Sequence, residues 1–205
     1  MDTVVAFTTT DYLVTLTDTV ATSNIFVLGR DFDKSRTLLN NHLMICTGNA
    51  GDRCSHGDFL KAQLEYLQLQ EGHISVSAAA NLIRNDVWSA LREHPVQLNF
   101  VYGGYEEGVG PQLYGIDNYG ALQVTDRIAQ NYSMYFGLAV LDEGLVQKNL
   151  TKDQILALCT KVATVLNRRF LAQQRRFLIK IVGKDGIEEI SLKLDHQEVQ
   201  VGTKK

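Results

Sequence analysis

Residues 1–18 read MDTVVAFTTTDYLVTLTD. Val4 to Thr9 and Leu13 to Thr17 are dense in β-branched and aromatic side chains and flank an Asp11-Tyr12 turn, so they are expected as two neighbouring strands. Asp18 closes the second of them, and Lys34 follows in Asp31-Phe32-Asp33-Lys34.

Outward from this start, strands and helices come in blocks. Asp52 to Gln70 carries Leu60, Leu64 and Leu67 at helical period. Ser75 is a candidate N-cap for a helix over Val76 to Arg92, with Ala79, Ile83, Val87 and Leu91 on one face and Pro95 beyond its end. Strands are expected at Gln97 to Tyr102 and Leu113 to Ile116, with Gly103, Gly104, Gly108 and Gly110 in their connection. A short helix over Met134 to Leu145 precedes Thr151-Lys152-Asp153-Gln154, a capping-box pattern that opens a helix with Ile155, Cys159, Val162 and Leu166 inward. Phe177 to Val182 and Ile187 to Leu194 make a hairpin about Lys184-Asp185-Gly186. This order suits an α+β fold in which a pair of antiparallel sheets is covered by helices on both outer faces, rather than a doubly wound parallel sheet. One domain over 1–198 is expected, with 199–205 as a C-terminal tail whose Val-Gln-Val could pair on a neighbouring chain.

Composition excludes several function classes. The 205 residues are 45% hydrophobic, enough for one large core, and a net charge of -3 with interspersed signs gives no field to attract nucleic acid or an anionic membrane. No run reaches the ~18 apolar residues of a spanning helix, and the first residues lack the basic-then-apolar pattern of a signal peptide, so a soluble intracellular protein is expected. Cys46, Cys54 and Cys159 are too few and too scattered for a disulfide framework or a zinc site and are expected as reduced thiols. The sequons at Asn131 and Asn149 are expected as chance matches. Gly103 to Gly110 lacks the lysine and hydroxyl of a phosphate loop and carries Glu106 and Glu107. His42, His56, His73, His94 and His196 form no metal-ligand spacing, and the acids around His56 suit the first turn of a helix. Neither cofactor nor metal is expected.

Several segments, taken in order, resemble a 20S proteasome beta subunit. They are the opening strands, Met44-Ile45-Cys46-Thr47-Gly48-Asn49-Ala50-Gly51-Asp52, Val101-Tyr102-Gly103-Gly104-Tyr105, Pro111-Gln112-Leu113-Tyr114-Gly115-Ile116-Asp117 and Lys180-Ile181-Val182-Gly183-Lys184-Asp185-Gly186-Ile187. Within the family the pattern is most similar to the non-catalytic beta-4 (type-2) members. The resemblance implies the four-layer αββα sandwich of the N-terminal-nucleophile hydrolases. It implies assembly with proteasome alpha and beta subunits in a 28-subunit core particle, beside beta-3-like and beta-5-like neighbours, in cytoplasm and nucleus.

Active members of that family use an N-terminal threonine supported by an aspartate and a lysine, and Asp18 and Lys34 match that pair. The family's spacing then puts Asp2 at the threonine position, and an ionised carboxylate has no proton to lose and cannot become an alkoxide. A salt bridge from Asp2 to Lys34 is expected instead, with Asp18 and Lys34 kept as a structural ion pair, because a buried charge stripped of its partner is strongly destabilising. Cleavage to expose Thr3 would turn its side chain to the opposite strand face, away from Lys34. By the same resemblance Gly48 matches the family's oxyanion glycine, although a tight turn into the next helix is the stronger explanation of it. Tyr132 in Asn131-Tyr132-Ser133 falls at a supporting serine, Arg169 at a supporting aspartate, and Ala172 near a second supporting serine. These changes together imply a structural subunit; the alternative is an active N-terminal threonine hydrolase.

Overall fold

The computed structural model describes residues 2–23, 26–38, 41–170, 174–194 and 199–203. Strands β1 (Val4–Thr8), β2 (Leu13–Asp18), β10 (Arg127–Gln130), β11 (Arg176–Gly183), β12 (Gly186–Leu194) and β13 (Val199–Thr203) form one sheet in the order β10-β1-β2-β11-β12-β13. Strands β5 (Ser35–Leu38), β6 (His42–Gly48), β7 (Leu98–Glu106), β8 (Gly110–Ile116) and β9 (Leu122–Val124) form a second in sequential order. A separate hairpin joins β3 (Ala21–Ser23) to β4 (Phe26–Gly29). All of these pairings are antiparallel.

Helices α1 (Ala50–Glu71) and α2 (Val76–Ala90) cover the second sheet, and α3 (Met134–Gly144) and α4 (Lys152–Arg169) cover the first. The result is a sandwich of helices, sheet, sheet and helices. The sequence dictates it through strands that are apolar on both faces, which only a sheet covered on both sides can bury. Val5 and Phe7 pack under α3 and α4 while Val4 and Ala6 pack between the sheets. Likewise Met44 and Cys46 face α1 and α2 while Leu43 and Ile45 face inward. Each of the Val, Leu, Ile, Phe and Met side chains among them, buried as fully as Leu60 or Phe177, contributes roughly 1.5–3 kcal/mol of transfer free energy.

Local signals set the helix ends. Asn49 caps α1 by accepting from the amides of Gly51 and Asp52, so the helix starts two residues before the first expected one. Ser75 caps α2 through Ala78 N, and Thr151 with Gln154 forms the reciprocal capping box of α4. Thr151→Ala is expected to cost about 1 kcal/mol, read as a lower urea midpoint with an unchanged slope; a shift under a third of that would show the cap to be dispensable.

Two expectations change. Gly103 and Gly104 lie inside β7 rather than in a connection. A Cβ on Gly103 would strike the Gln112 carbonyl and Leu13, and one on Gly104 the Asn41 carbonyl and His42, so both glycines serve close approach rather than a turn. Residues Val199–Thr203, expected as a tail, form β13 on the edge of the first sheet, with Leu192 opposite Val201. Backbone pairing to the chain's own β12 satisfies polar groups that were assigned to a neighbour.

A candidate site built on an ion-pair triad

Four elements meet at the start of β1. Pairing of β1 with β2 sets Thr3 beside Asp18, whose Oδ1 accepts from Thr3 N at 2.7 Å and whose Oδ2 accepts from Val20 N at 3.2 Å. Lys34, immediately before β5, donates from Nζ to both Asp18 oxygens at 2.7 Å. The same ammonium lies 2.8 Å from Asp2 Oδ1, and Arg53, in the first turn of α1, reaches Asp2 Oδ2 at 3.1 Å. Asn131 donates from Nδ2 to the Asp2 carbonyl at 3.0 Å. Asp2, Asp18 and Lys34 therefore come together, and the salt bridge expected between Asp2 and Lys34 is present.

Lys34 is 1% and Asp18 0% exposed, so these charges are removed from water and depend on one another. Burial pushes the Asp18 carboxyl above its ordinary value, against the pull of Lys34 and the Thr3 amide. Every group contacting its oxygens is a donor, which holds it as a carboxylate. Burial also pushes Asp2 up, but Lys34 and Arg53 outweigh it and hold this carboxyl below its ordinary value. The difference follows from exposure, since Asp2 keeps some contact with solvent and has two cations.

Among the described residues the groups that contact the Lys34 ammonium are the carboxylates of Asp2 and Asp18. Thr3 Oγ1 donates instead to Gln174 Oε1 at 2.6 Å. Ser133 is buried with its hydroxyl against the carbonyls of Val4 and Gln130, at 3.0 and 2.6 Å. The triad can hold three elements in register, and it sets a carboxylate beside the Lys34 ammonium.

The remaining site residues lie apart or serve the backbone. Gly48 has φ 130°, and a Cβ there would collide with the carbonyl of Gln97 and with Leu98, so the tight turn into α1 accounts for the glycine. Tyr132 is 56% exposed with its ring edge-on to Phe170; the residue of that segment that reaches residue 2 is Asn131, held at φ 58°. Arg169 is exposed in the last turn of α4 beside Arg168, where cations interact favourably with the helix dipole. Ala172 lies outside the described residues.

Sequence reasoning missed Arg53, Asn131 and Gln130. Gln130 accepts from Thr47 Oγ1 at 2.8 Å and donates to the Phe100 carbonyl at 3.1 Å, a buried link between the two sheets. Asn131 carried the only available signal, since asparagine tolerates the left-handed region. The other motifs resolve structurally. Glu106 accepts from Val76 N and Gln112 Nε2, and burial pushes the Cys46 and Cys159 thiols up to about 12, leaving them protonated and unreactive. Among the described residues no helix is long and apolar enough to cross a membrane.

Comparison with known proteins matches the sequence to a family. The family described as "Proteasome subunit" matches residues 1–182. Proteasome subunit beta type-2 of Oryza sativa subsp. japonica is 30% identical over 92% of this chain and 89% of its own length. Probable proteasome subunit beta type-4 of Schizosaccharomyces pombe is 29% identical over 94% and 100%, and proteasome subunit beta type-4 of Saccharomyces cerevisiae 27% over 93% and 97%. With an αββα sandwich, Asp18 and Lys34 joined at the start of β1, and these relatives along nearly its whole length, the chain belongs to the proteasome subunit family, among its beta subunits.

Proposed function

We propose that this chain is a non-catalytic, beta-4-type structural subunit of a 20S proteasome core particle, where it builds the beta ring and the wall of the proteolytic chamber. Its 28-subunit particle degrades proteins in ATP- and ubiquitin-dependent fashion through neighbouring active subunits. Its ring neighbours are beta-3-like and beta-5-like, it touches the alpha ring, and the particle resides in cytoplasm and nucleus. The observation that carries the reading is the Asp2 carboxylate clamped between Lys34 and Arg53 where the family's nucleophile would stand. Asp18 and Lys34 then persist because each holds the other's buried charge.

The purified native particle, treated with a probe that reacts with N-terminal threonine, is expected to leave this subunit unlabelled while other beta subunits react. Specific labelling of this chain would overturn the assignment in favour of an active threonine hydrolase. Native mass and cross-linking test the placement, which recovery solely as a monomer would refute; cell fractionation tests the location.

A further inference from the structure

Asp185 and Gly186 make the one Asp-Gly pair of the sequence, and no Asn-Gly pair occurs in it. They sit where β11 turns into β12: Lys184 and Asp185 form the turn, and Gly183 pairs with Gly186 as the last rung of the ladder. A last rung frays before the rest of its hairpin. Asp185 is exposed, and among the described residues its carboxylate makes no hydrogen bond or ion pair. Asp117, in the turn after β8, differs in that its Oδ1 accepts from the amides of Tyr119 and Ala121. Gly186 holds φ 125°, and a Cβ built on it would meet nothing within 4 Å, so the space beside its amide is open. The contacts that pin the hairpin stop one residue short. Asn41 Nδ2 donates to the carbonyls of Gly183 and Lys184 at 3.4 and 3.5 Å, and Lys184 Nζ lies 3.9 Å from Glu107. Lys152 and Glu188 face the turn across a pocket of about 220 Å³, but they are bound to each other at 2.6 Å.

We propose that Asp185 is a site of spontaneous isoaspartate formation, a covalent change of the backbone that this fold leaves open. The reaction needs water alone. The Gly186 amide nitrogen attacks Cγ of the protonated Asp185 carboxyl; the Cγ–OH bond breaks, the nitrogen gives up its proton, and the two leave as water, closing a five-membered succinimide. Water then adds to either ring carbonyl. Addition at Cγ breaks the new C–N bond and restores aspartate. Addition at the former main-chain carbonyl breaks the original bond to Gly186, and the chain then runs through Cβ and Cγ. One water is lost and one gained, so the product keeps the mass of the starting chain. Glycine favours the attack because no Cβ crowds the nitrogen. The product has one more methylene in its backbone, about 1.5 Å of extra chain in a two-residue turn. That length breaks the rung from Gly183 to Gly186 and loosens the Asn41 bonds that tie the hairpin to the start of β6. Nothing in this depends on the subunit reading, since Val182 pairs with Leu13 and Phe177 with Asp18, which puts the turn at the end of β11 away from the triad.

The test ages the folded full-length chain for several weeks at pH 7.4 and 37 °C, beside the same chain unfolded in guanidinium chloride. Digestion follows, then methylation of the peptides by an isoaspartyl methyltransferase, with fragmentation to locate the label. Isoaspartate is expected at position 185 at least tenfold above any other aspartate of the folded chain, at a rate within tenfold of the unfolded one. Asp185→Glu keeps the charge but would need a six-membered ring, and is expected to abolish the signal at 185. Asp185→Asn is expected to raise it, because ammonia leaves to give the same succinimide. The aged wild-type fraction is expected to exchange the amides flanking the turn faster than the fresh chain. A folded chain that reacts more than tenfold slower than the unfolded one overturns the proposal, since the hairpin then shields the amide. Isoaspartate spread evenly over the aspartates overturns it as well, and neither comparison requires a variant to fold.

Discussion

Lys34→Met is expected to destabilise the chain by about 3–5 kcal/mol, because it strands the Asp18 carboxylate in a site closed to water and leaves Asp2 with Arg53 alone. For a chain of this size that corresponds to a fall in Tm of about 10 °C. The second variant of the test is Lys34→Met with Asp18→Asn. Removing both charges relieves the unpaired carboxylate, so the pair of substitutions should cost well below the sum of the two single changes, a coupling that a double-mutant cycle in urea reads directly. A single-variant loss below 1 kcal/mol would mean that water reaches Asp18 and that the triad contributes no more than a surface pair.

The second large effect is a dependence on pH carried by His42. This ring is buried between β6 and α1, with Nδ1 2.7 Å from Tyr102 Oη and 3.2 Å from Gln68 Nε2. Two donors converge on Nδ1, so it accepts and the imidazole is neutral, with its proton on Nε2. Burial first, then the nearby His73, pull its pKa down to about 4, against an opposing pull from Glu106. The unfolded chain takes up this proton near pH 6.5 while the folded chain refuses it until about 4, so protons favour unfolding across that window. Stability from His42 is complete above 6.5 and falls by about 2–3 kcal/mol on reaching pH 4.5. Urea unfolding of the wild-type chain and of His42→Gln, stepped between pH 7.5 and 4.5, isolates this part from the carboxylates that titrate in both. Parallel curves would show that the folded chain takes up the His42 proton as readily as the unfolded one.

What the sequence made legible was whatever a short window or a spacing encodes. Ser75 and Thr151 announce their helices through hydrogen bonds spanning three residues, and the apolar runs of β1, β2 and β6 show burial on both faces by their lack of polar alternation. The Asp2, Asp18 and Lys34 set was readable because its spacing matches a known pattern. Arg53 and Asn131 were not, since they meet residue 2 across 51 and 129 positions and no local period marks such a partner. Gly103 and Gly104 misled for a related reason. Glycine near other glycines reads locally as a turn, whereas here the neighbours that exclude a side chain are Leu13, Asn41 and Gln112.

The bridge from Arg53 to Asp2 has a consequence for any change at position 2. Placing threonine there would set a hydroxyl near Lys34, but it would also remove the anion that two cations share and leave Arg53 facing an ammonium across a neutral side chain. The carboxylate and its arginine therefore behave as one unit of the sequence: a change at position 2 alone leaves a less stable chain than a joint change at positions 2 and 53.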